Sequence, residues 1–188
     1  MDGVPSDVLR RALTESDLRP LPAAASELLA RLSAPPRLAA HLRAVHDVAA
    51  QLTEWFADRL TLDTDAVLFG AATHDIGKIV HVEELSGPGH RHEPAGRDLL
   101  LAHGVPPELA RFAASHASWT EPGITAEELV VSLADKIWKA KRVPDLEQLV
   151  IARLAGEPWQ AFLDLDDELT RIAATADHRL AFQSAYPI

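Results

Sequence analysis

The sequence predicts an all-α protein built as one helical bundle, and three observations carry that prediction. Apolar residues make up 47% of the 188 positions and aromatics only 5%. The apolar share is mostly Ala and Leu, which favour helix, with few of the β-branched runs that favour strands. Apolar residues recur at spacings of three and four, the period of one helix face. Prolines such as Pro106, Pro107, Pro144 and Pro158 fall at or near the starts of these stretches, where the ring is tolerated. The length suits a single domain with a sizeable core.

In chain order, Pro5, Pro20, Pro22 and Pro35 break the first 35 residues into short helices over 7–13 and 23–32. Residues 1–35 are expected to form a brace or lid on the body, 36–188. After Pro35-Pro36 comes the longest helical pattern, to about residue 60, with Leu38, Leu42, Val45, Ala49, Leu52, Phe56 and Leu60 on one face and a polar opposite face. A helix capped at Asp63 or Thr64 runs to about residue 76, where Gly77 is the expected stop. Gly87, Pro88 and Gly89 mark a loop over 83–91. Helices follow over 93–103, closed by Gly104, and then over 107–117, 125–142, 145–155 and 158–182.

Composition removes several function classes. With no Cys, any metal must be held by nitrogen and oxygen, and neither a disulfide framework nor an iron–sulfur cluster is possible. A net charge of -10, from 18 basic and 28 acidic residues, disfavours a surface for long nucleic acids, which is built by neutralising phosphates with Lys and Arg. The start, MDGVPSDVLRR, has no basic segment followed by an apolar run, and no stretch approaches ~20 apolar residues. A cytoplasmic location without membrane attachment is therefore expected.

The run Thr73-His74-Asp75-Ile76-Gly77-Lys78 puts an imidazole and a carboxylate side by side at the end of a largely apolar helix. His74 lies seven residues after Val67 and Asp75 seven after Leu68, so helical geometry turns both inward. A buried carboxylate without a partner costs several kcal/mol, and a cation, a hydrogen-bonding partner or a metal is the remedy. His46 borders the apolar stripe of the longest helix, His116 follows Phe112 by four, Asp135 follows Val131 by four, and His92 opens the helix after the glycine-rich loop. Together these groups form a nitrogen and oxygen ligand set suited to Fe, Mn, Co, Ni, Zn or Mg. Asp47 is read as solvated, and His41, His81, His103 and His178 as surface or partly packed residues.

On these residues the chain resembles the HD-domain, HDIG-type metal-dependent phosphohydrolases over about 37–142. The markers are His46 on a long helix, the pair His74 and Asp75, and the late Asp135, with His92 and His116 where two-metal members carry two more histidines. The resemblance implies a helical bundle of the six-ligand, binuclear branch. It implies one cation on His46, His74, Asp75 and Asp135 and a second on His92 and His116, with Asp75 bridging. Two cations about 3.5–4 Å apart lower the pKa of a shared water toward ~7 and stabilise phosphoryl charge. The implied reaction is hydrolysis of a phosphomonoester or phosphoanhydride of a nucleotide or other small phosphorylated molecule, with Asp75 and Lys78 in catalytic roles. Lys78, His90, Trp119, Lys136 and Lys139 are the candidate substrate contacts, with Arg43, Arg91 and Arg97 as further phosphate candidates and Glu83, Glu84 and Glu93 as possible acids or bases. Two alternatives stay open on the sequence: a mixed-valent di-iron oxygenase using the same ligands, and a non-catalytic nucleotide sensor. The absence of a Gly-Tyr-Pro signature argues against the cyclic di-GMP phosphodiesterases.

Overall fold

A computed structural model describes residues 6–15 and 17–188, and these contain helices, turns and loops but no strand. Helix α1 (Asp7–Thr14) starts where the Ser6 hydroxyl accepts the Leu9 N–H, and α2 (Ala23–Arg31) follows Pro22. The axis of the fold is α3 (Pro36–Phe56), which packs against α1, against α4 (Thr64–Thr73), against α8 (Ala126–Ile137) and against α11 (Ala176–Ser184). Between them run α5 (His92–Ala102), the short α6 (Pro107–Ala110) and α7 (Phe112–Ser115), α9 (Pro144–Ile151) and α10 (Pro158–Ala173). No helix of the described residues is long and apolar enough to cross a membrane.

The expected polar face of α3 is missing from 38 to 50. Every residue from Leu38 to Ala50 is buried, because neighbours cover the helix on all sides. Its arginine is absorbed by specific bonds. The Arg43 guanidinium donates to the carbonyls of Ala12, Glu15 and Leu18, placing a cation at the C-terminal end of α1, where helix carbonyls carry partial negative charge. Arg43 is therefore a strut for the N-terminal segment and is not available to a phosphate. Arg179, equally buried, does the same at the other end of the chain by donating to Trp138 O, Ile172 O and the Thr175 hydroxyl. That corner splits the expected 158–182 helix into α10 and α11.

Two apolar clusters share α3. One joins its C-terminal half to α4, α8, α9 and α10; the other joins its N-terminal half to α1, α2, α5 and α6. Two expected helix ends move inward. The capping box of Thr125 and Glu128 starts α8 as the sequence suggests, but α8 closes at Ile137 and Ala140 turns the chain with φ 59°. Helix α4 closes at Thr73, followed by two 3-10 turns, Ile76–Ile79 and Val82–Leu85. Gly77 is not the helix stop. A Cβ there would lie 1.9 Å from the His92 carbonyl oxygen and 2.6 Å from the Gly96 amide nitrogen, so glycine is required for the first turn to press against α5.

Candidate metal centre

Each helix delivers its ligand-type side chain in a definite way. His74 and His116 each sit one residue past the last turn of α4 and α7. The Nδ1 of His74 lies 2.9 Å from Ala71 O and that of His116 lies 3.0 Å from Ala113 O. A helix's last carbonyls have no partner within the helix, so each ring uses one of them. A carbonyl only accepts, so Nδ1 carries the proton and Nε2 is left as a lone pair. His92, the first residue of α5, does the same with a side chain, donating from Nδ1 to Glu84 Oε2 at 2.6 Å. These are the outer partners that orient metal-bound imidazoles and fix their tautomer.

The free Nε2 atoms converge on Asp75, in the turn between α4 and the first 3-10 turn. Asp75 Oδ2 is 3.2 Å from His41 Nε2 and 3.7 Å from His74 Nε2; Oδ1 is 3.0 Å from His92 Nε2 and 3.4 Å from His116 Nε2. Asp135 Oδ1 on α8 is 3.4 Å from His74 Nε2 and 3.9 Å from His41 Nε2. The Nε2 atoms of His41, His74 and His92 and Oδ1 of Asp75 are buried and make no hydrogen bond of acceptable geometry. For His74 and His92 this sets a lone pair against a carboxylate lone pair, which is repulsive unless a cation lies between them. The spacings also fit a cation, since ligands bound at about 2.1 Å stand roughly 3.0–3.4 Å apart around it. Among the described residues, two groups could hold a metal, each with its ligand atoms within 4.8 Å of one another: His41, His74 and Asp135, and Asp75, His92 and His116.

Electrostatics point the same way. Burial works to raise the Asp75 pKa, but His74, His116, His41 and His92 outweigh it and hold the carboxyl well below the usual range. Asp135 is likewise lowered, with burial opposed by His74 and Lys136. His92 is raised, because the nearby Asp75 and Glu84 carboxylates outweigh its burial.

The structure places one expected ligand away from the centre. His41, read as a packed or surface residue, faces the centre, and His46 does not. Five residues further along α3, His46 points about 140° away around the helix. It is buried with its Nδ1 unpartnered, and burial holds its pKa down to about 4. Asp47, read as solvated, is buried and accepts from the Arg19 amide and the Gln51 side chain.

A cleft of about 230 Å³ opens onto the centre and is lined by Lys78, Lys136, Lys139, His90 and Glu93 together with the ligand-type residues other than His74. Lys78 Nζ is 2.6 Å from Asp75 Oδ2, and Lys136 Nζ is 2.5 Å from Asp135 Oδ2. His90 is exposed and paired with Glu93 at 3.0 Å. Trp119 lies outside the lining, with Lys136 Nζ 5.5 Å from its ring centre. Arg91 is engaged by His81 and Glu83, and Arg97 by Asp98; neither lines the cleft. None of the lining comes from residues 6–35.

No curated protein and no solved structure matches the chain. Residues 39–138 match the HD domain, a span that begins before His41 and ends after Asp135 and so takes in both groups. That span is more than half of the sequence, and the protein therefore belongs to the HD-domain family, whose members are in general metal-dependent hydrolases.

Proposed function

We propose that the protein is a binuclear, HDIG-type phosphohydrolase that cleaves a phosphomonoester or phosphoanhydride of a nucleotide or other small phosphorylated molecule. The observation that carries this reading is the convergence of buried Nε2 lone pairs on the two oxygens of Asp75. His41, His74 and Asp135 would hold one divalent cation and His92 and His116 the other, with Asp75 serving both. Cations bound there supply a nucleophilic water near neutral pH and offset charge on the phosphoryl oxygens.

The chain's own residues account for the rest. The Nδ1 hydrogen bonds of His74, His92 and His116 fix the rings so that only lone pairs face the centre. Lys78 and Lys136 pair with Asp75 and Asp135 and line the cleft, so with those carboxylates committed to cations both ammoniums would be available to a phosphoryl anion. Lys139 adds positive potential at the mouth, so an overall acidic protein presents one cationic pocket to a small anion. Trp119 supports Lys136 from the side of the core.

The test is phosphate release from a panel of nucleotides by Mn- or Fe-loaded protein under anaerobic conditions. Release without oxygen is the expected result. Product formation that requires oxygen would instead establish the oxygenase alternative, and tight nucleotide binding with no product would establish the sensor.

A further inference from the structure

We propose that Glu84 is a positioning residue for the second cation, acting through the His92 ring, and that Gly89 is present to leave room for its carboxylate. This rests on the reading above that Asp75, His92 and His116 hold a cation. The need for such a residue follows from where His92 sits. His74 and His116 come at helix ends, where unpaired carbonyls are at hand to take the Nδ1 proton. His92 opens α5, and the first turn of a helix offers unpaired N–H donors and no acceptor. An acceptor must come from elsewhere, and the 3-10 turn Val82–Leu85 supplies it.

Glu84 is buried, and its carboxylate is fully committed. Oε2 accepts both the His92 Nδ1–H at 2.6 Å and the His92 backbone N–H at 3.1 Å, while Oε1 accepts the Arg91 N–H at 3.2 Å. One side chain thus caps α5 and fixes the tautomer and tilt of the ring. Glu84 is not among the residues lining the cleft, so it has no access to substrate as an acid or base. The loop beyond it crosses directly over the carboxylate: a Cβ on Gly89 would lie 2.2 Å from Glu84 Oε1 and 2.3 Å from its Cδ. Any side chain at 89 would push the carboxylate off His92.

Mn2+ titration of the purified protein, followed by calorimetry and by the EPR signal of free Mn2+, tests this. Wild type should take two cations. Glu84→Gln should keep one at wild-type affinity and bind the other 10–100-fold more weakly, the usual cost of losing such an outer partner. Gly89→Ala should weaken the same cation while every charge stays in place, and it decides the matter if Glu84→Gln fails to fold. Two cations at wild-type affinity in a folded variant would overturn the proposal. Equal weakening of both cations, with a lowered melting temperature of the metal-free protein, would also overturn it, since Glu84 would then serve only the fold. A wild type that takes no second cation overturns the metal-centre reading and this proposal with it.

Discussion

The two candidate cation sites are made of the same chemical groups but stand on different foundations. His41, His74 and Asp135 come from α3, α4 and α8, the three helices that pack most closely on one another at the centre of the bundle. His92 and His116 come from the start of α5 and the end of the four-residue α7, and the Asp75 they share lies in a turn. His74 and His116 share the same kind of carbonyl bond, but the first group stands on helices packed through apolar side chains, whereas the second depends further on Glu84 and the close approach of Gly77 to α5. Packing resists local opening more than a few polar contacts do. The first site should therefore be the tighter and more durable of the two, and the second the one that fills last and empties first.

The largest test of that contrast removes what the sites share. Asp75→Asn should abolish binding of both cations and lower phosphate release by more than about 100-fold, since even an outer partner costs 10–100-fold; elemental analysis beside an activity assay reads both. A smaller change separates the sites on α3. His41→Ala should leave one cation per chain, held by the Asp75, His92 and His116 group, whereas His46→Ala should keep two. The reverse result would restore His46 as the ligand.

The scaffold of the first site can also be weakened without touching a ligand. Burial lowers the His46 pKa from 6.5 to about 4, so the fold accepts the neutral ring and the unfolded chain takes up the proton first. Stability is then complete above about pH 6.5 and is lost as pH falls toward 4. About 2 kcal/mol should disappear between pH 7 and 5. Urea unfolding of metal-free wild type and His46→Gln at the two pH values checks this, and the variant should lose less by that amount. The smallest expected effect lies at the cleft mouth. Lys139→Ala should raise KM about two- to fivefold with kcat unchanged, since the charge is exposed and screened.

Much of this was legible in the sequence, for identifiable reasons. Helix starts were readable because Pro36, Asp63, Pro107, Thr125, Pro144 and Pro158 act locally. Helix ends were less so: α4 stops at Thr73, ahead of the turn that presses Gly77 against α5, and the break after Ala173 is held by Arg179 reaching back to Trp138. The choice between His41 and His46 was out of reach of periodicity for a physical reason. Periodicity distinguishes a buried face from a wet one, and α3 has no wet face from 38 to 50. Resemblance to a family identified the kind of residue but not its register on that helix. Glu84 stood in the sequence among several acidic residues near the loop, and only its bonds to Arg91 and His92 set it apart.

The covering of α3 on every side also determines where the stability of the whole molecule can be observed. An amide in a helix with an exposed face can exchange its hydrogen through a local fluctuation, but amides along Leu38–Ala50 become reachable only when neighbouring helices separate. Their exchange should track global unfolding. A cation bound to the folded form alone slows that opening in proportion to its saturation, so the slowest-exchanging backbone hydrogens of this protein should serve as an internal gauge of how full its metal centre is.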